Sequence, residues 1–218
     1  MRTLHWFLIV GLLVVLAATA EAEAADPGGY QIAVTPFIGY RIGGDFENQD
    51  SGAKVSLDDG AALGFIVNAP AESVRDDDYT EWELYFSRQS VGISQAPAAV
   101  DPSLKVDISY LLLGGTYVGP GELVRPFLAA GIGASHLSPD KSGYDSDTFF
   151  AFGIGGGAQV FPASRVGLRL EARLLGSVIN SDSTVFCASG PAGSGCAVSA
   201  SGNVFWQWEV FGGLVARF

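Results

Sequence analysis

Apolar and polar residues alternate with a period of two along eight separate segments of the chain. In the last segment the even positions from Val204 to Phe218 are apolar or small, whereas the odd positions include Gln207, Glu209 and Arg217. Successive side chains of a β-strand point to opposite faces, so this period predicts strands with one apolar and one polar face. The eight segments are 31–42, 60–68, 80–91, 104–118, 123–137, 148–161, 166–177 and 203–218.

The connections between these segments are rich in Gly, Pro, Asp and Ser, and they alternate in length. Short connections at 119–122 and 162–165 separate longer ones at 43–59, 92–103, 138–147 and 178–202, although 69–79 is longer than strict alternation predicts. No later stretch is long and apolar enough to form a membrane helix. The pattern therefore predicts an all-β chain of antiparallel strands, with loops at one end and turns at the other.

The N-terminus has the pattern of an export signal. Arg2 and His5 precede an apolar run over 6–17, and small residues with A-x-A spacing follow at 18–25. The run is shorter than the roughly 20 apolar residues of a spanning helix. We expect cleavage near Ala24, which makes 1–24 a signal peptide and 25–218 the barrel domain; a retained anchor is the alternative.

Alternation alone leaves open which face of each strand points inward. A soluble barrel buries the apolar face, whereas an outer-membrane barrel turns it toward lipid. The export signal, the alternating connections and aromatic residues on the apolar face favour lipid. We therefore predict an eight-stranded antiparallel transmembrane β-barrel with a side-chain-filled interior. The aromatic residues in question are Tyr40, Trp82, Phe86, Tyr110, Phe150, Phe161, Trp206 and Trp208.

The C-terminal sequence adds a family resemblance. The chain ends in Leu-Val-Ala-Arg-Phe, with Phe218 on the apolar face. This terminus and the strand pattern resemble the OmpA/OmpX-type eight-stranded outer-membrane β-barrel family. The resemblance implies a Gram-negative cell envelope, contact with outer-membrane lipids and lipopolysaccharide, and a role of Phe218 in the signal read by the barrel-assembly machinery.

Charged residues on the polar faces are expected to form an interior charge network. An unpaired charge in a narrow lumen costs several kcal/mol, so mutual pairing is the prediction and a proton or ion relay the alternative. Glycines at 131, 133, 153, 155 and 157 are expected to leave room for Phe37, Tyr85 and Tyr117 or for arginines. The predicted network comprises Arg41, Glu81, Glu83, Lys105, Asp107, Arg125, Arg169, Glu171, Arg173, Glu209 and Arg217.

The longest connection holds both cysteines of the chain, Cys187 and Cys196. In an exported protein such a close pair predicts a disulfide. Acidic residues also concentrate in the connections and account for most of the net charge of −11, which comes from 23 acidic and 12 basic residues. A solvated loop surface explains them, with a divalent-cation site in 45–59 as the alternative.

Two further motifs carry little chemistry. The stretch 153–158 matches G-x-G-x-x-A but lies within a strand and opens no helix, so no dinucleotide site is expected. His136 and its neighbour Ser135 point to opposite faces of a strand and cannot pair. We expect no catalytic residue, cofactor or metal. The acidic balance and the scattered basic residues also disfavour nucleic-acid binding.

Together these features predict a monomeric outer-membrane protein that is not an enzyme and has a structural or surface-interaction role. Its extracellular loops would form the binding surface for an extracellular ligand. A narrow, porin-like channel for small or hydrophobic solutes and a lipid A-modifying barrel enzyme are the alternatives.

Overall fold

The structure is a computed structural model that describes residues 32–47, 54–73, 78–95, 104–140, 146–160, 165–179, 184–190, 193–199 and 204–218. The predicted signal peptide lies outside these residues. Within them no helix has the length and apolar character needed to cross a membrane. The strands are β1 (Ala33–Ile42), β2 (Asp45–Glu47), β3 (Lys54–Leu57), β4 (Gly60–Ser73), β5 (Tyr79–Gln95), β6 (Lys105–Val118), β7 (Val124–Pro139), β8 (Asp147–Val160), β9 (Val166–Val178), β10 (Thr184–Gly190), β11 (Gly193–Ser199) and β12 (Val204–Arg217).

Eight of these strands close into an antiparallel barrel. The order around it is β5-β4-β1-β12-β9-β8-β7-β6, and β6 pairs with β5 to complete the ring. The predicted all-β, eight-stranded architecture is thereby confirmed. Closure leaves no barrel edge, so the backbone N–H and C=O groups find partners within the protein, as hydrocarbon surroundings require.

The register of the barrel determines the tilt of its strands. When directly paired residues are followed from strand to strand around the barrel, the path starts at residue 89 of β5 and returns to β5 at residue 79. The barrel therefore has a stagger of ten residues over eight strands. With ordinary strand dimensions this stagger corresponds to a tilt of about 40° from the barrel axis. The paired residues along this path are Gln89, Ala62, Gly39, Phe211, Glu171, Gly157, Phe127, Val118 and Tyr79.

Two predicted loops contain strands of their own. In the connection 43–59, β2 pairs with β3, and β3 pairs with the end of β5 through Ser56–Gln95 and Leu57–Ile93. In the connection 178–202, β10 and β11 form a separate two-stranded sheet. The alternation signal is weak over three to seven residues, which is why these short hairpins were not predicted from the sequence.

Strand β6 faces the opposite way from the prediction. Tyr110 was expected on the lipid-facing side of the strand, but it lies in the interior, and so do Val106, Ile108 and Leu112, which share its face; each is at most 1% exposed. Further down the strand, apolar side chains do point outward. The physical reason is that the outward face of the first part of the strand carries Lys105, Asp107 and Ser109, while the apolar side chains gain by packing into the buried interior cluster.

The same reversal affects three other assignments. Lys105 is exposed and Asp107 half-buried, both on the outward side of β6, so their assignment to the interior network is wrong. Tyr117, expected inside, is 40% exposed and points outward. Phe37 and Tyr85 do occupy the interior, with 6% and 0% of their surfaces exposed.

Candidate functional site

The middle of the barrel interior holds a closed ring of two arginines and two glutamates. Arg169 lies 2.8 Å from Glu83 and 2.7 Å from Glu171, measured between side-chain nitrogen and oxygen atoms. Arg173 lies 2.7 Å from Glu83 and 2.5 Å from Glu171. Each guanidinium thus bridges both carboxylates, and the four charges sum to zero. We call these residues the ion-pair ring.

The local sequence explains how β9 contributes three of the four members. Arg169, Glu171 and Arg173 occupy alternate positions, so all three point inward. On the neighbouring strand β8 the paired positions are glycines: Gly155 faces Arg173 and Gly157 faces Glu171. A Cβ atom on Gly155 would lie 2.7 Å from the Glu171 carboxylate, so glycine leaves the room that this carboxylate uses.

Polar neighbours on β4 and β6 complete the hydrogen bonding of the ion-pair ring. The Thr116 hydroxyl donates to Glu83 over 2.7 Å, and the Asn68 amide donates to Thr116 over 3.4 Å. Arg169 in turn donates to the Asn68 carbonyl oxygen over 3.3 Å, and its guanidinium lies 4.3 Å from the ring centre of Phe127. The buried charges are therefore both paired and hydrogen-bonded, as burial of a charge demands.

A second ion pair lies above the ring. Arg41 on β1 and Glu209 on β12 are 2.6 Å apart, and both side chains are completely buried. Glu209 also accepts hydrogen bonds from Tyr85 over 2.5 Å and from Ser87 over 2.9 Å. Tyr85 links the two charge groups, because the guanidinium of Arg173 lies 4.2 Å from the centre of its ring.

Uncharged layers fill the interior above these charges. Gln207 accepts a hydrogen bond from Tyr110 over 3.1 Å, and Ser177 donates to Tyr110 over 3.1 Å. Above them is a layer of buried apolar side chains. Among the described residues, buried side chains thus occupy the interior from the ion-pair ring through this apolar layer. The apolar layer includes Leu57, Val91, Leu104, Val106, Ile108, Leu137, Phe149, Ile179 and Phe205.

The structure brings together most, but not all, of the residues predicted for the charge network. Lys105 and Asp107 lie outside the barrel, and Asp107 pairs with Arg88 on its outer surface. At the barrel end opposite the apolar layer, Arg125 stacks on the ring of Tyr79 at 5.5 Å and Arg217 donates to the Tyr79 hydroxyl over 3.3 Å. The predicted members that are buried are Arg41, Glu81, Glu83, Arg169, Glu171, Arg173 and Glu209.

Several polar partners of the charges were not singled out in the sequence. Ser87 and Gln89 share the inward parity of Glu83 on β5, and Thr116 shares the inward face of β6. The signal that could have identified them is this shared face. What the alternation cannot supply is which strand lies opposite across the lumen, and therefore which side chains meet.

The hairpin β10–β11 lies in the connection that carries the cysteines. Its register places Cys187 directly opposite Cys196. Directly paired residues of an antiparallel sheet have Cα atoms about 4.5–5.5 Å apart, which falls within the range of a disulfide. The backbone is thus compatible with the predicted bond, which stays a prediction.

Within the described ranges, the side chains are not arranged for the alternative chemistries. His136 accepts or donates a hydrogen bond at 2.9 Å from Thr148, on the outer surface, whereas Ser135 is buried in the interior. Across the described part of the chain, no three His, Cys, Asp or Glu side chains are placed to hold a metal ion. Part of the 45–59 connection, where a cation site was the alternative, lies outside these residues.

A closed antiparallel barrel with an apolar outer surface and charges paired inside defines an integral outer-membrane barrel. The chain belongs to the outer membrane protein beta-barrel domain family, which it matches over residues 10–186. The resemblance to OmpA/OmpX-type barrels is thereby confirmed, and membership implies a location in the outer membrane. No curated protein matches the sequence.

Solved structures show the same fold at low sequence identity. Neisserial surface protein A is 15% identical with a TM-score of 0.53, and the match covers 86% of this chain and 97% of that one. The outer membrane protein OprG from Pseudomonas aeruginosa is 13% identical with a TM-score of 0.50, covering 87% and 96% respectively.

Proposed function

We propose that this protein is a monomeric, non-conducting outer-membrane barrel that presents its extracellular loops as a binding surface and catalyses no reaction. The observation that carries the proposal is the filled interior, in which the ion-pair ring and the Arg41–Glu209 pair are each at most 3% exposed. A continuous water path would have to separate these pairs. Leaving one charge buried without its partner costs about 3–5 kcal/mol.

A rigid barrel with paired hairpins above it suits a binding role. The β2–β3 hairpin extends the barrel sheet through β5, and β10–β11 forms a second hairpin. Loops carried by a rigid scaffold are where binding function concentrates. Neisserial surface protein A, a structural neighbour, is a surface protein by name, which agrees with this role. The ligand would be an extracellular molecule, and lipopolysaccharide and outer-membrane lipids would surround the barrel.

The two ends of the chain would serve export and assembly. Residues 1–24 would be a cleaved signal peptide. Phe218 is 58% exposed at the periplasmic end, and backbone hydrogen bonds of 2.9 and 3.3 Å join it to Ile32. An accessible aromatic side chain beside the closing seam is suited to recognition by the barrel-assembly machinery.

Planar-bilayer recording tests the proposal directly. The purified protein is expected to give no reproducible single-channel steps, because its lumen is filled by paired charges and apolar side chains. A general porin inserted into the same bilayer provides the positive control, and heat-dependent gel mobility shows that the tested protein is folded. Stable conductance steps would reject the non-conducting barrel in favour of a narrow channel.

The disulfide is tested by alkylation and mass spectrometry. The protein purified from membranes is expected to gain no alkyl groups on Cys187 and Cys196 until a reductant is added. Closing a loop of this size stabilises a fold by roughly 2–3 kcal/mol in the chain-entropy model. The paired variant C187S/C196S should therefore make the 178–202 connection more sensitive to protease while barrel stability stays unchanged. Alkylation without reductant would refute the bond.

A further inference from the structure

A polar row marks where the hydrocarbon ends on one side of the barrel. Arg88, Ser109, His136 and Thr148 are cross-strand neighbours on β5, β6, β7 and β8, and all four point outward. Two residues below each of them, on the same face, the side chains are apolar. This lower row consists of Phe86, Leu111, Ala134 and Phe150.

From β8 onward, over β9 and β12, the outer surface stays apolar to a greater height. On β8, β9 and β12 the cross-strand rows are Phe152–Gly176–Trp206 and, above it, Phe150–Val178–Val204. The rings of Phe152 and Trp206 meet edge to face, with centres 5.3 Å apart and planes at 86°. Gly176 permits this contact, since a Cβ there would lie 2.6 Å from the Phe152 ring. We call Phe150, Phe152, Val178, Val204, Trp206 and Trp208 the aromatic wall.

A hydrogen bond across the lumen identifies residues of β5 and β12 that lie at the same height along the barrel axis. Gln207 on β12 donates to Gln89 on β5 over 3.5 Å. Their chain neighbours point outward, so Trp206 lies level with Ser90 and Trp208 level with Arg88. At one level, therefore, β5 presents a serine and an arginine while β12 presents two tryptophans that are 46% and 54% exposed.

We propose that the extracellular hydrocarbon boundary crosses this barrel obliquely and that lipid acyl chains cover the aromatic wall. The wall continues without interruption into the lower apolar belt through Ile154, Leu174 and Val210 on the same three strands. It holds no charged residue, and its tryptophans suit the aromatic girdle at a membrane interface. On β5 and β6 the same boundary lies lower, beneath the Arg88–Asp107 pair.

The unequal belt has a physical consequence for the bilayer. An apolar stretch taller than the local hydrocarbon is accommodated by tilting of the protein or by local thickening of the bilayer. A stretch that is shorter thins the bilayer on its side. The barrel is therefore expected to lean, which would point its loops toward one side, or to hold the membrane at two thicknesses.

Fluorescence quenching by brominated lipid tests the proposal with single-tryptophan variants of the full chain. W6F/W82F/W208F keeps only Trp206. The matched control replaces all four tryptophans by Phe and adds S90W, which lies at the same height on β5. A third variant, with F86W in the tryptophan-free background, reports the hydrocarbon on β5. Each is reconstituted into phosphatidylcholine vesicles with or without bromine on the acyl chains, and gel mobility confirms folding.

The expected result is that Trp206 loses as much emission to brominated lipid as F86W does, whereas S90W keeps its emission. Quenching of both Trp206 and S90W would mean a level boundary and overturn the proposal. Protection of Trp206 in every vesicle would place the wall in water, ready for an extracellular partner, and overturns it too. Protection that disappears on dilution into excess lipid would assign the wall to a second copy of the chain instead.

Discussion

Replacing Glu171 with glutamine is expected to lower the free energy of unfolding of the barrel by about 3–5 kcal/mol. The substitution preserves the shape of the side chain but leaves Arg169 and Arg173 to share Glu83 as their carboxylate within the ion-pair ring. One positive charge would then be buried without compensation. Urea unfolding in lipid vesicles, followed by gel mobility, measures the effect.

The outer surface of the same barrel provides the matched control. Asp107 pairs with Arg88, whose side chain is 59% exposed, so D107N removes an ion pair that is largely solvated. Exposed pairs contribute about 0–1 kcal/mol, and D107N should change stability by no more than that. Equal losses in the two variants would show that the buried ring does not hold its charges in a water-poor interior.

Replacing Gly114 with alanine is expected to prevent most molecules of the variant from folding. Gly114 on β6 is paired with Gly131 on β7. A Cβ at position 114 would lie 1.9 Å from the carbonyl oxygen of Ala130 and 2.5 Å from the Cα of Gly131. These are backbone atoms within a closed ladder, so the cost should exceed the about 1–3 kcal/mol of ordinary overpacking. The folded fraction after transfer into vesicles, read from gel mobility, is the measurement.

Gly212 offers a control for that substitution on the lipid-facing side. A Cβ there would meet first the terminal Cδ2 of Leu170, at 3.3 Å, which is the mobile end of a flexible side chain. G212A should consequently fold with nearly the yield of the unmodified protein. If G114A folds equally well, the close approach of β6 and β7 at this point is not a constraint on assembly.

Strand alternation was sufficient to predict the number of barrel strands and nearly all of their bounds. It worked best where one face meets lipid over the whole strand, as on β12 between Val204 and Phe218. It failed on β6, whose outer face changes from polar residues at 105–109 to apolar residues at 111–113 partway along the strand. Alternation shows that the two faces of a strand differ in polarity. It can assign the wrong face to the outside of the barrel when the character of a face changes along the strand.

The candidate site shows a comparable limit. The sequence predicted that Arg169, Glu171 and Arg173 share one face, because that relation is local. It could not predict that Glu83, from β5, closes the ion-pair ring, or that Arg41 meets Glu209. Those contacts depend on the barrel stagger of ten residues, which is a property of all eight strands together.

The seam between β1 and β12 sets the order in which the barrel can form. Its pairs join the first and the last strands of the barrel, from Ala33–Arg217 to Ile42–Trp208. Until the last strand is available, the first has an unpaired edge, and unpaired edges invite association with other chains. Closure thus waits for the last barrel strand and depends on contacts between residues far apart in the sequence, which form slowly. Before closure the first strand therefore exposes an edge that needs protection, whereas the closed barrel exposes none.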